Sequence, residues 1–208
     1  MRYVEELRRT YGLPTVAVAQ AWLHHENCAE ILEKQAALPF VRSIRHKPPT
    51  GAMADAKWRA GFAALARNGL RFDLQTPWSE LGDAARLAAD FPGTQIILNH
   101  TGLPADRSAE GIAGWKRAMT AFAARPNTAL KISGLGQAGL PWTVEANRPV
   151  VLAAIEIFGV ERCMFASNYP VDSLCGTFST IFDGFREIVG ENKALFHDNA
   201  IRIYGMNA

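Results

Sequence analysis

A chain of 208 residues with 49% hydrophobic content is long enough to bury one sizeable core. A formal net charge of +2, with Lys and Arg scattered along the chain, excludes the dense basic face that nucleic acid or an anionic membrane surface requires. The amphipathic start and the lack of a bilayer-length apolar run argue against export or anchoring, and the expected partner is a small molecule. The three cysteines, Cys28, Cys163 and Cys175, show no metal-ligand or redox spacing, which points to a reducing, cytoplasmic setting.

In chain order, a charged amphipathic helix "YVEELRRTYG" comes first. Six apolar runs then read as strands: "TVAVAQAWL" at 15–23, "FVRSIRH" at 40–46, "LRFDLQT" at 70–76, "QIILNH" at 95–100, "ALKIS" at 129–133 and "CMFASN" at 163–168. Helical patterns such as "WSELGDAARLAADF", "AGWKRAMTAFAA" and "RPVVLAAIEIFG" lie between them, and Gly12, Gly69 and Gly159 stand where helices should end. This alternation predicts an α/β fold with parallel strands, spanning residues 1–208 as one domain.

No Gly-rich phosphate loop follows any strand, but polar residues close the strands: His46, Gln75, Asn99 with His100, Lys131 with Ser133, and Ser167 with Asn168. In a (β/α)₈ barrel these carboxyl ends converge on one catalytic face. His100 ends an apolar strand just before a Gly and Pro turn; imidazole there serves as a base near neutral pH, as a metal ligand, or as a buried histidine bonded to the backbone. Lys131 inside a short apolar strand needs a partner or solvent, so it either faces the barrel mouth to bind an anionic group or runs outward between helices. Asp172 has two readings, an N-cap for the helix "SLCGTFSTIFDGF", which is preferred, and a general base. The His24-His25-Glu26 triplet reads as a solvated turn and His197 as a structural helix residue.

Together, "QIILNHTGLP", "ALKISGL", "CMFASNYP" and "LFHDNAIRIYG" resemble the amidohydrolase-related TIM-barrel hydrolases, in the branch of sugar-lactone lactonases and 2-pyrone-4,6-dicarboxylate lactonase. The resemblance implies a barrel hydrolase that opens a lactone by water attack, and Arg45-His46 matches a Gly-Ile-Arg-His-like segment able to hold a carboxylate or polarise a carbonyl. Two departures stand out. The family usually begins on a strand bearing His-x-His, and this sequence has no such pair, so about six of eight β/α units and an N-terminal truncation are expected. The family's Gly-Ser-Asp-Trp-Pro reads Ala166-Ser167-Asn168-Tyr169-Pro170 here, an amide where a general base is implied.

Asn168 cannot take a proton but can orient a water or donate to a carbonyl oxygen. The expected site is therefore catalytic His100, Asn168 and Asp172 with substrate-binding Arg45, His46, Gln75 and Lys131. No metal or other cofactor is expected, a divalent ion such as zinc entering only if N-terminal histidines are restored. The rival readings are a metal-dependent carboxy-lyase of the wider family and a truncated, inactive barrel. An incomplete barrel also leaves the first and last strands as edges, so self-association into a homo-oligomer is expected.

Overall fold

The computed structural model of the chain describes residues 1–206. Helix α1 (Arg2–Tyr11) precedes six strands: β1 (Ala17–Gln20), β2 (Val41–His46), β3 (Arg71–Leu74), β4 (Ile96–Leu98), β5 (Thr128–Ile132) and β6 (Cys163–Phe165). Helices α2 (Cys28–Ala36), α3 (Ala56–Arg67), α4 (Leu81–Asp90), α5 (Ala109–Ala123) and α6 (Val144–Phe158) occupy the connections, and α7 (Phe178–Val189) and α8 (Asn199–Tyr204) follow β6. All six strands are parallel in the order β1-β2-β3-β4-β5-β6, so each strand pairs with its neighbour in the chain. The fold is thus an arc of a (β/α) barrel, with β1 and β6 as its edges.

Strands β3, β4 and β6 are shorter than the apolar runs that announced them, because the polar residues at their carboxyl ends leave the ladder. Gln75, His100 and Asn168 all lie in the segments beyond their strands. The helix assigned to "SLCGTFSTIFDGF" also needs correction. It begins only at Phe178, capped by the Thr177 side chain accepting from Thr180 N, while Asp172 sits in a separate short 3-10 turn, Val171–Leu174. Asp172 is buried and caps nothing, so of its two readings the preferred one is wrong.

The pleat separates two layers. Phe72, Leu74, Ile96, Leu98, Leu130 and Ile132 project toward the helices and join Trp58, Phe62, Trp115 and Phe122 in the main core. The opposite, inner face carries Ile97, Ala129 and Met164, covered by Ile203 and Tyr204 of α8. Register places Arg45 beside Asp73 and Asp73 beside Ile97, so this face becomes charged toward β2 and β3. By contrast α1 buries no residue; Arg8 holds it by donating to the carbonyls of Pro14 and Thr15 and lying over the Phe40 ring at 4.8 Å.

Candidate active site

The carboxyl ends of β2 to β5 bring four of the expected residues together. Strand β4 ends at Leu98 and is followed by Asn99, after which His100, Thr101 and Leu103 all adopt positive φ near 55°. Such a run of left-handed, non-glycine residues is strained and persists only where surrounding contacts hold it. Here Trp115 Nε1 donates to Thr101 O at 2.9 Å and Thr101 Oγ1 donates to Ser133 O at 3.0 Å, pinning the segment against β5. The segment turns the His100 ring toward Ser133 and Arg45. Gly134, at φ +62, completes the fit, since a Cβ there would lie 2.7 Å from His100 Cβ.

His100 Nε2 lies 3.1 Å from Arg45 Nη2 and Nδ1 lies 3.0 Å from Ser133 Oγ. A guanidinium only donates, so Nε2 carries the lone pair and Nδ1 the proton, which it gives to Ser133. Burial, and then the positive charges of Arg45 and Lys131, push the His100 pKa down to about 4, so the ring is neutral at pH 7. Gln75 Oε1 in turn accepts from Arg45 Nε at 3.1 Å and from its Nη2, fixing the guanidinium over the strand ends.

Lys131 takes the inward course of its two readings. It does not stand free: Nζ lies 2.5 Å from Asp73 Oδ1, which also accepts from Tyr204 OH at 2.7 Å. Asp73 is fully buried and was not among the expected site residues. Its sequence signal was present, because an acid between Phe72 and Leu74 in "LRFDLQT" is as anomalous in a strand as the lysine in "ALKIS". Tyr204 gave no local signal, since it reaches Asp73 across 131 positions of the chain.

A second cluster flanks the first. Asn168, itself at φ 54, donates from Nδ2 to Asp172 Oδ1 at 2.8 Å, and the backbone N–H groups of Gly134 and Gly136 also point to that carboxylate. Burial raises the Asp172 pKa, outweighing these hydrogen bonds. The 134–136 loop thus touches both His100 and Asp172. His46 stands apart from both clusters. It faces the helix layer, accepting from Trp58 Nε1 at 3.2 Å and lying between the rings of Trp58 and His24, each 6.1 Å away. Burial, and secondly His24, lower its pKa to about 4. The triplet His24-His25-Glu26 forms an exposed turn, and the exposed His197 pairs with Asp198 at 2.8 Å.

The family model for Amidohydrolase matches residues 1–206. The chain is 48% identical over 153 residues to y4mH, an uncharacterized protein of Sinorhizobium fredii, covering 71% of this chain and 51% of that one. It is 29% identical to an L-fucono-1,5-lactonase of Burkholderia multivorans over 80% of this chain and 63% of that one. Among solved structures, an amidohydrolase from Burkholderia multivorans with bound zinc superposes with a TM-score of 0.85 at 23% identity, over 99% of this chain and 78% of the other, a likeness of fold. The chain therefore spans about half the length of the first of these relatives.

The donors present here do not fit a zinc ion. The His100 lone pair faces the Arg45 cation, Asn168 brings an amide that is already donating to Asp172, and no three His, Cys, Asp or Glu side chains gather in metal-binding range among the described residues.

Proposed function

The chain belongs to the amidohydrolase family, and from that premise we propose that it opens a lactone, the cyclic ester of a sugar acid or other carboxylated small molecule, by attack of water. The observation that carries this reading is the His100–Arg45 contact at 3.1 Å on the face where barrel enzymes keep their chemistry. It sets a neutral base beside a fixed cation. When a lactone carbonyl enters, Arg45 turns its donors to the carbonyl oxygen and leaves Nε2 free to take a proton from water. The water oxygen bonds to the acyl carbon, the ring C–O bond breaks, and the departing ring oxygen receives the proton from His100. No metal is used in any of these steps.

The other residues take supporting parts. Gln75 orients Arg45, and Lys131, held by Asp73, keeps a positive potential over the developing oxyanion. Asn168 positions Asp172, the second carboxylate in reach of the loop that touches His100. His46 braces the rim beside Arg45. The relative named L-fucono-1,5-lactonase supports a sugar lactone as substrate. The reading extends to a cytoplasmic enzyme acting on small molecules and self-associating through its sheet edges. It is supported by three unpaired cysteines and by the absence, among the described residues, of a helix long and apolar enough to cross a membrane.

The test is hydrolysis of sugar γ- and δ-lactones followed by proton release, with His100→Ala alongside. Loss of a positioned base should lower the rate at least about tenfold. Unchanged turnover removes His100 from the mechanism, and release of CO₂ from carboxylated substrates would make the protein a lyase instead.

A further inference from the structure

At the amino-terminal ends of the first strands, opposite the candidate active site, a cavity of about 270 Å³ is lined by Arg8, Thr15, Phe40, Arg42 and Met206 among others. Arg42 owes its place there to an irregularity in the sheet. Ala17 of β1 pairs with Val41 of β2, but the next residue, Val18, pairs with Ser43, so Arg42 is the extra residue of a bulge between two parallel strands. Bulges are rare in parallel pairs, and they re-aim the side chain they carry.

Arg71 opens β3 one step across the ladder, since its register partner is Ser43. Gly205, at φ +59, makes room for it: a Cβ there would lie 2.8 Å from Arg71 Nη2, and the residue that follows, Met206, lines the cavity. Neither guanidinium enters an ion pair or a side-chain hydrogen bond among the described residues. Nε is the one Arg42 nitrogen shut away without a partner; its two Nη groups, and all three Arg71 nitrogens, keep accessible surface. Burial, and then the Arg42 charge, lower the Arg71 pKa, and no carboxylate counters them. Arg8 adds a third positive charge to the wall, with Nη1 already given to the carbonyls of Pro14 and Thr15. Like charges held side by side in partial burial, with donors open, are costly until an anion completes them.

We infer that this end of the sheet is an oxyanion site, in which Arg42 and Arg71 hold a phosphate-type dianion, either free phosphate or the phosphoryl group of a small metabolite. The planar guanidinium donors match pairs of phosphate oxygens, and two uncompensated cations favour a doubly charged ligand over a single carboxylate. The site stands apart from His100 and Arg45, at the other end of the strands, so it does not depend on the lactonase reading. Its occupant ties β2 and β3 to the end of α8 and stabilises the folded chain.

The test is calorimetric titration of the full chain with inorganic phosphate, glycerol 3-phosphate and acetate, at an ionic strength held constant with sodium chloride. Phosphate or glycerol 3-phosphate should bind with a Kd below about 1 mM, the tighter of the two naming the source of the dianion. Acetate should bind at least about tenfold more weakly. Arg42→Gln and Arg71→Gln should each weaken the dianion at least about tenfold, whereas Arg86→Gln, which removes an exposed guanidinium paired with Asp83, should leave it unchanged. If one of the two glutamine variants does not fold, the other carries the comparison. Dianion binding that survives these substitutions, an equal loss in Arg86→Gln, acetate held as tightly as phosphate, or no binding to the parent chain each overturns the site.

Discussion

The two faces of the sheet are built on different physics. The outer face is a continuous aromatic and aliphatic layer, with Phe62 touching Trp58, Phe72 and Phe91 at ring separations of 5.0–5.5 Å. The inner face has only a small apolar cluster of Ile97, Ala129, Met164, Ile203 and Tyr204, and beside it the ionic and hydrogen-bonded group Asp73, Lys131 and Tyr204. The outer layer supplies stability through area removed from water, whereas the inner group costs desolvation and persists through the two donors, Lys131 Nζ and Tyr204 OH, that meet Asp73 Oδ1, while Asp73 Oδ2 is buried without a partner among the described residues. The candidate site grows from the inner face, so its geometry depends on pairing of charges more than on packing.

Substitutions on either face should break in different ways. Phe62→Ala should cost about 3–5 kcal/mol, read from urea unfolding, with no second substitution that restores it. Asp73→Ala should cost about 3 kcal/mol, because it leaves Lys131 without its anion and the Tyr204 hydroxyl without its acceptor. Yet a double change, Asp73→Leu with Lys131→Met, should recover most of that loss, since it removes the charge along with the partner. If the double variant stays as unstable as the single one, the inner group is holding the fold by shape and the contrast between the faces fails.

Acid should find the rims of the two faces together. His46 and His100 both have folded pKa values near 4, below the ordinary 6.5, so the unfolded chain binds more protons than the folded one between those values. Their contribution is complete above pH 6.5 and is lost as the pH falls toward 4. Urea midpoints measured across this window should decline with acidity, and the decline should flatten in His46→Gln with His100→Gln. The activity attributed to His100 should rise through the same low range and be level at neutral pH.

Smaller effects sharpen the account of the last strand. Asn168→Asp would set a second carboxylate 2.8 Å from Asp172 in place of a donor, so the pair should share a proton. The variant should lose about 1 kcal/mol more stability than the parent as the pH is raised to neutrality, and metal analysis after dialysis should find no gain in bound zinc. Tight zinc in that variant would mean that the ligand set has been misjudged. Thr177→Ala should cost about 1 kcal/mol, the ordinary effect of losing a helix cap. Asp172→Asn should show no such loss of helix α7.

Much of this architecture is legible in the residues alone. Alternating apolar runs and helical patterns located all six strands and their parallel direction, because apolar runs buried in a sheet and separated by helical patterns read as β/α units. Polar residues at strand ends likewise pointed to His100 and Gln75, and the family resemblance to Arg45, and these three do meet. What the sequence could not decide was pairing across the inner face. Nothing local joins Asp73 to Lys131, 58 positions apart, or to Tyr204 at 131. Hydrophobic periodicity is a property of neighbouring residues and survives in the sequence. Charge compensation is a property of distance in the folded chain: the sheet order β3-β4-β5 brings Lys131 to Asp73, and the closing of α8 over the sheet brings Tyr204.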